Sequence, residues 1–394
     1  MKVAFLHLYL ATASGDPRMI LSLAKEFKSQ GHEVSVYCSE FNPSFLPNLH
    51  EGLSVKIVPP KKPLNSVLGA TTLFGKIIER VLRNQLYTDS AYRIEKELDQ
   101  DFDFIFCEND YTYKAGAFYK KKHPNAKVVW IMNNPPFYHS KKQMFFLEIA
   151  SRISSFFEAM VAKKFAPWID WIIVYDKENK KEAENLGFKA KLIGNPLDYN
   201  YFYAPVKKII PNQPIKILSV GALSPFRRFE DVIAATAILR EAGFDVSTII
   251  ICKDYWVNQK YREEFSSFID RSGVAQYIDV RLNGVEEEEM IQLLRETHIS
   301  VVPNIARVWV ATACEAMSSG LPLLITRTTS LADVLIDGEN ALFFSPQNPQ
   351  EIADKISLLI KDPEFYTKIA SAGQQYVKEN LNFSEFVKEI IKPL

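Results

Sequence analysis

The sequence predicts an α/β protein built from two doubly wound domains, each a parallel sheet between layers of helices. Short apolar runs alternate with amphipathic stretches along most of the chain, which is the pattern of repeated βαβ units. The alternation breaks once, around Tyr203–Pro214, where Pro205, Pro211 and Pro214 crowd together, and then begins afresh. A chain of 394 residues is also too long for one ordinary core, and two domains of roughly 150–200 residues are the natural outcome.

The elements follow in order. Val3–Tyr9 reads as a buried strand, Ala11–Asp16 as a loop, and Pro17 sits where a first helical turn tolerates proline. Met19, Ile20, Leu23, Ala24 and Phe27 mark one helical face, Gly31 stops the helix, and Val34–Cys38 is the next strand. A helix between two strands makes them parallel. The same rhythm returns at Phe104–Cys107, Val128–Ile131 and Trp171–Val174. Beyond the break, strands at Ile215–Val220, Ser247–Cys252, Ile278–Leu282, Ile299–Val302 and Leu323–Ile325 alternate with helices that start near Phe229, Tyr261, Glu287 and Ala311. The expected boundary falls near residue 205. In such folds ligands bind beyond the carboxyl ends of the strands, and two facing domains would place the site in the cleft between them.

Composition bounds the class. The chain is 47% hydrophobic and 24% charged with a formal net charge of zero, so nucleic acid is not an expected partner. The charge is unevenly spread: Lys56, Lys61, Lys62, Lys76, Arg80 and Arg83 face Glu79 alone in their stretch. Between Lys61 and Leu86, Leu64, Val67, Leu68, Leu73, Phe74, Ile77 and Ile78 interleave with these cations. A surface of that kind, Lys61 to Arg83, fits an anionic membrane, and core packing accounts for the same apolar residues. Glu286–Glu289 opens a helix, where acids complement the dipole. Cys38, Cys107, Cys252 and Cys314 form no Cys-x-x-Cys pair and read as buried thiols in a reducing compartment. Met1–Ala13 imitates a signal peptide, but His7 interrupts its apolar run and an ordered pattern continues beyond it. No apolar run approaches the roughly 20 residues of a membrane span. The expected location is cytoplasmic, with peripheral contact at the inner membrane face.

Two strand-to-helix corners of the second domain carry the chemistry. In Ser219–Asp231, Gly221 lets a ligand approach the backbone, and Arg227 and Arg228 follow at the turn into a helix. Guanidinium forks before a helix N-terminus suit a phosphate, although a bare arginine pair is also ordinary solvated surface. In the second corner, Val301–Asn304 ends a strand, Ile305–Val310 is a loop, and Val310, Ala311 and Thr312 open a helix with free N–H groups. Glu315 lies about one turn further in, among Ala313, Cys314, Ala316 and Met317. A carboxylate only accepts hydrogen bonds, so a pair of ribose hydroxyls is a fitting partner. Capping of neighbouring backbone is the plainer alternative.

Four stretches resemble the family 4 glycosyltransferases of the GT-B group, in order and along nearly the whole chain. Gly15-Asp-Pro-Arg-Met19 through Gly31-His-Glu-Val34 is similar to the family's opening, in an Asp-Pro-Arg variant. Gly194-Asn-Pro-Leu-Asp198 resembles its Asn-x-x-Asp element, and Gly221–Asp231 its phosphate-binding segment. Glu315-Ala-Met-Ser-Ser-Gly-Leu-Pro322 matches the end of its Glu-(x)7-Glu signature, the most specific of the four. The resemblance implies two Rossmann-like domains, 1–205 for the acceptor and 206–375 for a nucleotide-sugar, with the 376–394 segment packing back on the first. It implies retaining sugar transfer from a nucleotide-sugar to a glycan or lipid-linked acceptor, as in cell-envelope or polysaccharide synthesis, without metal or other cofactor. Glu315 would then hold the donor ribose, Arg227 the pyrophosphate, and Gly15 and Arg18 would stand in the first loop beside the donor.

Three departures accompany the resemblance. Where the family has its first glutamate this chain has Arg307, where it has an arginine after the strand-end glycine there is Ala222, and its frequent histidine corresponds to Asn133. Arg307 is the expected substitute cation for pyrophosphate or a charged donor sugar, with an exposed loop arginine as the alternative. Asn133 and His139 are the candidates for handling the acceptor hydroxyl, and His7 is a further histidine to place. The departures also fit a rival reading, a non-catalytic protein of the same fold that binds a nucleotide-sugar or stabilises a partner.

Overall fold

The structure, a computed structural model, describes residues 1–11, 15–66, 73–132, 145–210, 213–253 and 259–393, with backbone alone at 73–74, 76–77, 109–110, 145–154 and 253. The chain divides into two compact units: Met1–Ile193 with Phe386–Leu394, and Gly194–Glu385.

The first unit is built on a seven-stranded sheet of β1 (Lys2–Leu10), β2 (Glu33–Phe41), β3 (Ser54–Ile57), β4 (Phe104–Glu108), β5 (Lys127–Ile131), β6 (Trp171–Val174) and β7 (Ala190–Leu192). Their order is β3-β2-β1-β4-β5-β6-β7, and every pairing is parallel. The central strands are apolar on both faces because helices cover both. On one face Phe5 stacks on Phe106 at 5.0 Å and meets Phe27 of the Gly15–Ser29 helix edge-on at 5.5 Å. On the other, Ala4, Leu6 and Leu8 join a core with Tyr113 and Trp130, whose rings stack at 4.2 Å. The C-terminal segment belongs to this unit: Phe386, Val387 and Ile390 are buried, and Trp171 Nε1 donates to the Ile390 carbonyl at 3.0 Å.

The second unit carries β8 (Ile215–Ala222), β9 (Val246–Lys253), β10 (Ile278–Arg281), β11 (Ile299–Val302), β12 (Leu323–Thr326) and β13 (Leu342–Phe344) in the order β10-β9-β8-β11-β12-β13, again all parallel. The division between the units comes before the proline-rich stretch near residue 205. The segment Gly194–Tyr203 is fastened to the second unit, since Leu197 N–H donates to the Leu381 carbonyl at 2.8 Å and Ser319 Oγ to the Phe202 carbonyl at 2.6 Å. All four cysteines are buried thiols.

Candidate active site

The second sheet reverses its strand order between β8 and β11. Beyond the carboxyl ends of strands at such a switch point the covering helices diverge and leave a crevice. Those two strands lead into the two corners that the sequence singles out, and the Ile305 N–H donates to the Phe226 carbonyl at 2.9 Å, tying one corner loop to the other.

In the first corner, Pro225–Arg227 forms a single 3₁₀ turn after β8. It lays the Arg227 side chain over Gly221: a Cβ added there would stand 3.0 Å from Nε and 3.1 Å from Cδ. Nε and Nη1 of Arg227 are buried and lack a hydrogen-bond partner. Burial pushes the guanidinium down to about 10, which still leaves it charged at neutral pH. A buried cation with unused donors is costly unless an anion completes it. Arg228 behaves otherwise. It adopts a left-handed conformation (φ 54) at the N-cap of the Phe229–Glu241 helix, and its Nε and Nη2 reach the buried Asp231 carboxylate at 3.2 and 2.5 Å. Its Nε and Nη2 are engaged within the helix turn, whereas Nε and Nη1 of Arg227 are not. Ala222 is exposed and adds no charge.

The second corner adds a residue that sequence reasoning passed over. Asn304, just past β11, is 1% exposed, and its Nδ2 has no partner. The backbone around it is fixed, since Thr328 Oγ1 donates to the Asn304 carbonyl at 2.7 Å and Thr326 Oγ1 donates to the same oxygen. The signal available beforehand was a lone amide directly after an apolar strand end. Ser224 Oγ, in the neighbouring loop, is likewise buried without a partner.

The Ala311–Ser318 helix follows, with Val310 at its N-cap and no side chain capping its first N–H groups. Ala313, Cys314, Ala316 and Met317 are buried in the core, while Ala311 is exposed and Thr312 and Glu315 are half-buried. Residues 311, 312 and 315 thus share the face turned away from the core, which is why an otherwise apolar helix tolerates a carboxylate. Burial and the neighbouring Glu315 both push the Cys314 thiol up. The helix ends in a Schellman motif: Leu321 N–H donates to the Ala316 carbonyl and Gly320 N–H to that of Met317, with Gly320 at φ +69. Arg307 Nη2 is hydrogen-bonded to the Asp333 carboxylate.

In the first unit, Gly15 opens the Gly15–Ser29 helix with no atom within 4 Å of where a Cβ would stand, and Arg18 is half-buried in its first turn. His7 is buried in β1, where its Nδ1 accepts the Tyr9 N–H at 3.0 Å and its Nε2 lies 3.6 Å from Glu108. Burial pushes the imidazole down to about 4, so it is neutral at pH 7. Asn133 and His139 lie outside the described residues. Asp101 and Asp103, an Asp-x-Asp pair that imitates a metal motif, are held by Lys2 through its ammonium and its backbone N–H.

Two family profiles cover most of the chain: "Glycosyltransferase Family 4" matches residues 13–201 and "Glycosyl transferases group 1" matches residues 204–376. The chain belongs to the glycosyltransferases. Among relatives of known sequence, it is 24% identical over 208 residues to an uncharacterized glycosyltransferase of Methanocaldococcus jannaschii, covering 53% of this chain and 49% of that protein. It is 27% identical over 176 residues to the D-inositol 3-phosphate glycosyltransferase of Corynebacterium glutamicum, covering 44% of this chain and 41% of that protein. The matches therefore span about half, or less, of these relatives' lengths. Among solved structures, the HepE protein of Anabaena in complex with UDP-glucose superposes with a TM-score of 0.72 at 16% identity, covering 99% of this chain and 98% of that one. Sucrose-phosphate synthase of Thermosynechococcus elongatus does so with 0.72 at 14% identity, covering 99% and 97%. The fold of this glycosyltransferase is GT-B, with two Rossmann-like domains.

Proposed function

We propose that this glycosyltransferase is a retaining hexosyltransferase that moves a sugar from a nucleotide-sugar to a glycan or lipid-linked acceptor in cell-envelope or polysaccharide synthesis. The observation that carries this reading is Arg227: a buried guanidinium, unpartnered at Nε and Nη1, laid over Gly221 at the switch point of the second sheet. Its charge and fork suit the donor pyrophosphate. Glu315 accepts from the ribose hydroxyls, and the uncapped N–H groups at Val310–Thr312 complete the anion site. Arg307, braced by Asp333, faces the donor sugar or its phosphate. HepE was solved with UDP-glucose and with UDP, which makes a uridine diphosphate sugar the first donor to try.

In the transfer, the bond from the anomeric carbon to the β-phosphate oxygen breaks while the acceptor hydroxyl oxygen bonds to the same face. The hydroxyl proton passes to the departing phosphate, and Arg227 stabilises the charge that gathers there. The chain needs no separate base for this, and Asn133 or His139 would orient the acceptor hydroxyl. No metal enters the scheme. Among the described residues no helix is long and apolar enough to cross a membrane, and we place the enzyme in the cytoplasm.

The departures at Ala222, Arg307 and Asn133 favour one rival, a non-catalytic protein that only binds the nucleotide-sugar. Incubation with UDP-glucose, UDP-galactose, UDP-N-acetylglucosamine and GDP-mannose, followed by NMR, separates the two. An enzyme consumes one donor, slowly by hydrolysis alone and faster with acceptor, and gives a product of unchanged anomeric configuration. Binding without consumption in the presence of a cell-envelope lipid extract supports the rival.

A further inference from the structure

The Phe145–Phe165 helix of the first unit is apolar on the wrong side. Its packed face is clear: Ser155 and Ala162 are buried, and Ala159, Phe165 and Ala166 lie against the core. These positions fall on one stripe at 3.6 residues per turn, so the opposite stripe should be polar if it met only water. Instead it carries Phe157, Met160 and Val161, flanked by Phe156, with Phe156 and Phe157 exposed by 61% and 60%. The patch does not stop at one helix. Arg80 Nη2 pairs with Glu158 at 2.7 Å and brings the Leu73–Lys96 helix alongside, and this neighbour exposes Ile78, Val81 and Leu82, again at i, i+3, i+4 spacing, with Val81 60% exposed.

The charges where the first helix ends are basic. Lys163 and Lys164 are exposed in the last turn of the first helix. Lys121 Nζ sits 5.0 Å from the ring centroid of the exposed Trp168, just beyond that helix. Glu158, the acid inside the patch, is already engaged by Arg80. The basic segment that the sequence marks as membrane-facing divides differently in the structure. Leu64 is buried in the core and Lys61 pairs with Asp89 at 2.7 Å, whereas Ile78 joins Val81 and Leu82 in the patch. Residues 67–72 lie outside the described residues.

We propose that the outward faces of these two helices dock on an anionic lipid bilayer, seating Phe156, Phe157 and Met160 among the acyl chains at the interface and Lys163, Lys164 and Lys121 against the headgroups. Contiguous aromatic and aliphatic exposure with a cationic rim is the composition of a surface that lies in the membrane plane. A second copy of this chain is the less fitting occupant, because Glu158, the acid inside the patch, is already paired with Arg80 and is not open to the lysines of another copy. The inference goes beyond sugar transfer and does not depend on it.

Co-sedimentation of the full chain with vesicles tests it. Wild type should bind vesicles of phosphatidylcholine with phosphatidylglycerol and not those of phosphatidylcholine alone. Phe156→Ser/Phe157→Ser should lower partitioning by about tenfold or more, and Lys163→Glu/Lys164→Glu should lose the dependence on phosphatidylglycerol. These positions are exposed, so thermal unfolding and nucleotide affinity should match wild type, which separates loss of docking from loss of fold or of the donor site. Failure of wild type to bind the anionic vesicles overturns the proposal. So does undiminished binding by the phenylalanine variant, or light scattering that finds a dimer which the same substitutions dissociate.

Discussion

Gly221→Ala introduces one methyl group where the account is most exposed to error. The new Cβ would lie 3.0, 3.1 and 3.2 Å from Nε, Cδ and Cζ of Arg227, against ordinary contacts of about 3.5–4.0 Å between carbon atoms. The guanidinium must therefore move by a few tenths of an ångström. Gly221 lies in β8 and has no positive φ, so alanine suits the backbone and the unfolding midpoint should hardly change. A charge-assisted hydrogen bond is worth about 1.5–3 kcal/mol and depends steeply on geometry. Misaligning one such bond should weaken UDP binding roughly ten- to a hundredfold. Calorimetric titration of wild type, Gly221→Ala and Arg227→Ala measures this directly. The reasoning fails if Gly221→Ala binds like wild type while Arg227→Ala does not, and the placement of Arg227 fails if both bind like wild type.

Three further outcomes follow from the same contacts. Gly320→Ala forces a side chain into a left-handed conformation with its Cβ 2.9 Å from the Val206 Cα, so the urea midpoint should drop by the equivalent of roughly 2–4 kcal/mol, and an unchanged midpoint refutes the fit. Arg307→Ala should weaken nucleotide-sugar binding roughly ten- to a hundredfold, and unaltered affinity would reduce its pairing with Asp333 to a structural role. The third concerns His298, whose Nδ1 accepts the Lys216 N–H at 3.1 Å. Burial, then Lys207 and Lys216, push it from its ordinary 6.5 down to about 4. The unfolded chain takes up this proton near pH 6.5 while the folded chain refuses it until about 4, so stability is full above 6.5 and declines as pH falls through that window. His298→Gln keeps an acceptor and should flatten part of the decline in urea midpoint against pH; an identical slope contradicts it.

The long apolar strands and the helices between them were legible because periodicity reports burial, and burial on both faces is what central parallel strands have. The edges were not. Ser54–Ile57 and Ala190–Leu192 in the first sheet, and Leu342–Phe344 in the second, are edge strands of three or four residues, too short to show a period. The same holds within the site. Glu315 stood out as a carboxylate in an apolar helix, and its place on the one unpacked face accounts for that contrast. Arg227 and Arg228 are the same residue type in sequence, and only the left-handed turn at Arg228 and the nearness of Asp231 separate an available cation from a spent one. Asn304 offered only a lone amide after an apolar strand end, and what sets it apart, burial that leaves its Nδ2 without a partner, shows only in the fold.

The most direct test of the central claim, that the second unit holds a nucleotide-sugar through Arg227 and Glu315, is calorimetric titration of UDP, GDP, ADP and CMP into wild type and Glu315→Ala. The account predicts that one nucleoside diphosphate, UDP first, binds wild type and that Glu315→Ala loses at least about tenfold in affinity, as the removal of hydrogen bonds to a charged group requires. No binding by any of the four, or equal binding in wild type and variant, would contradict it.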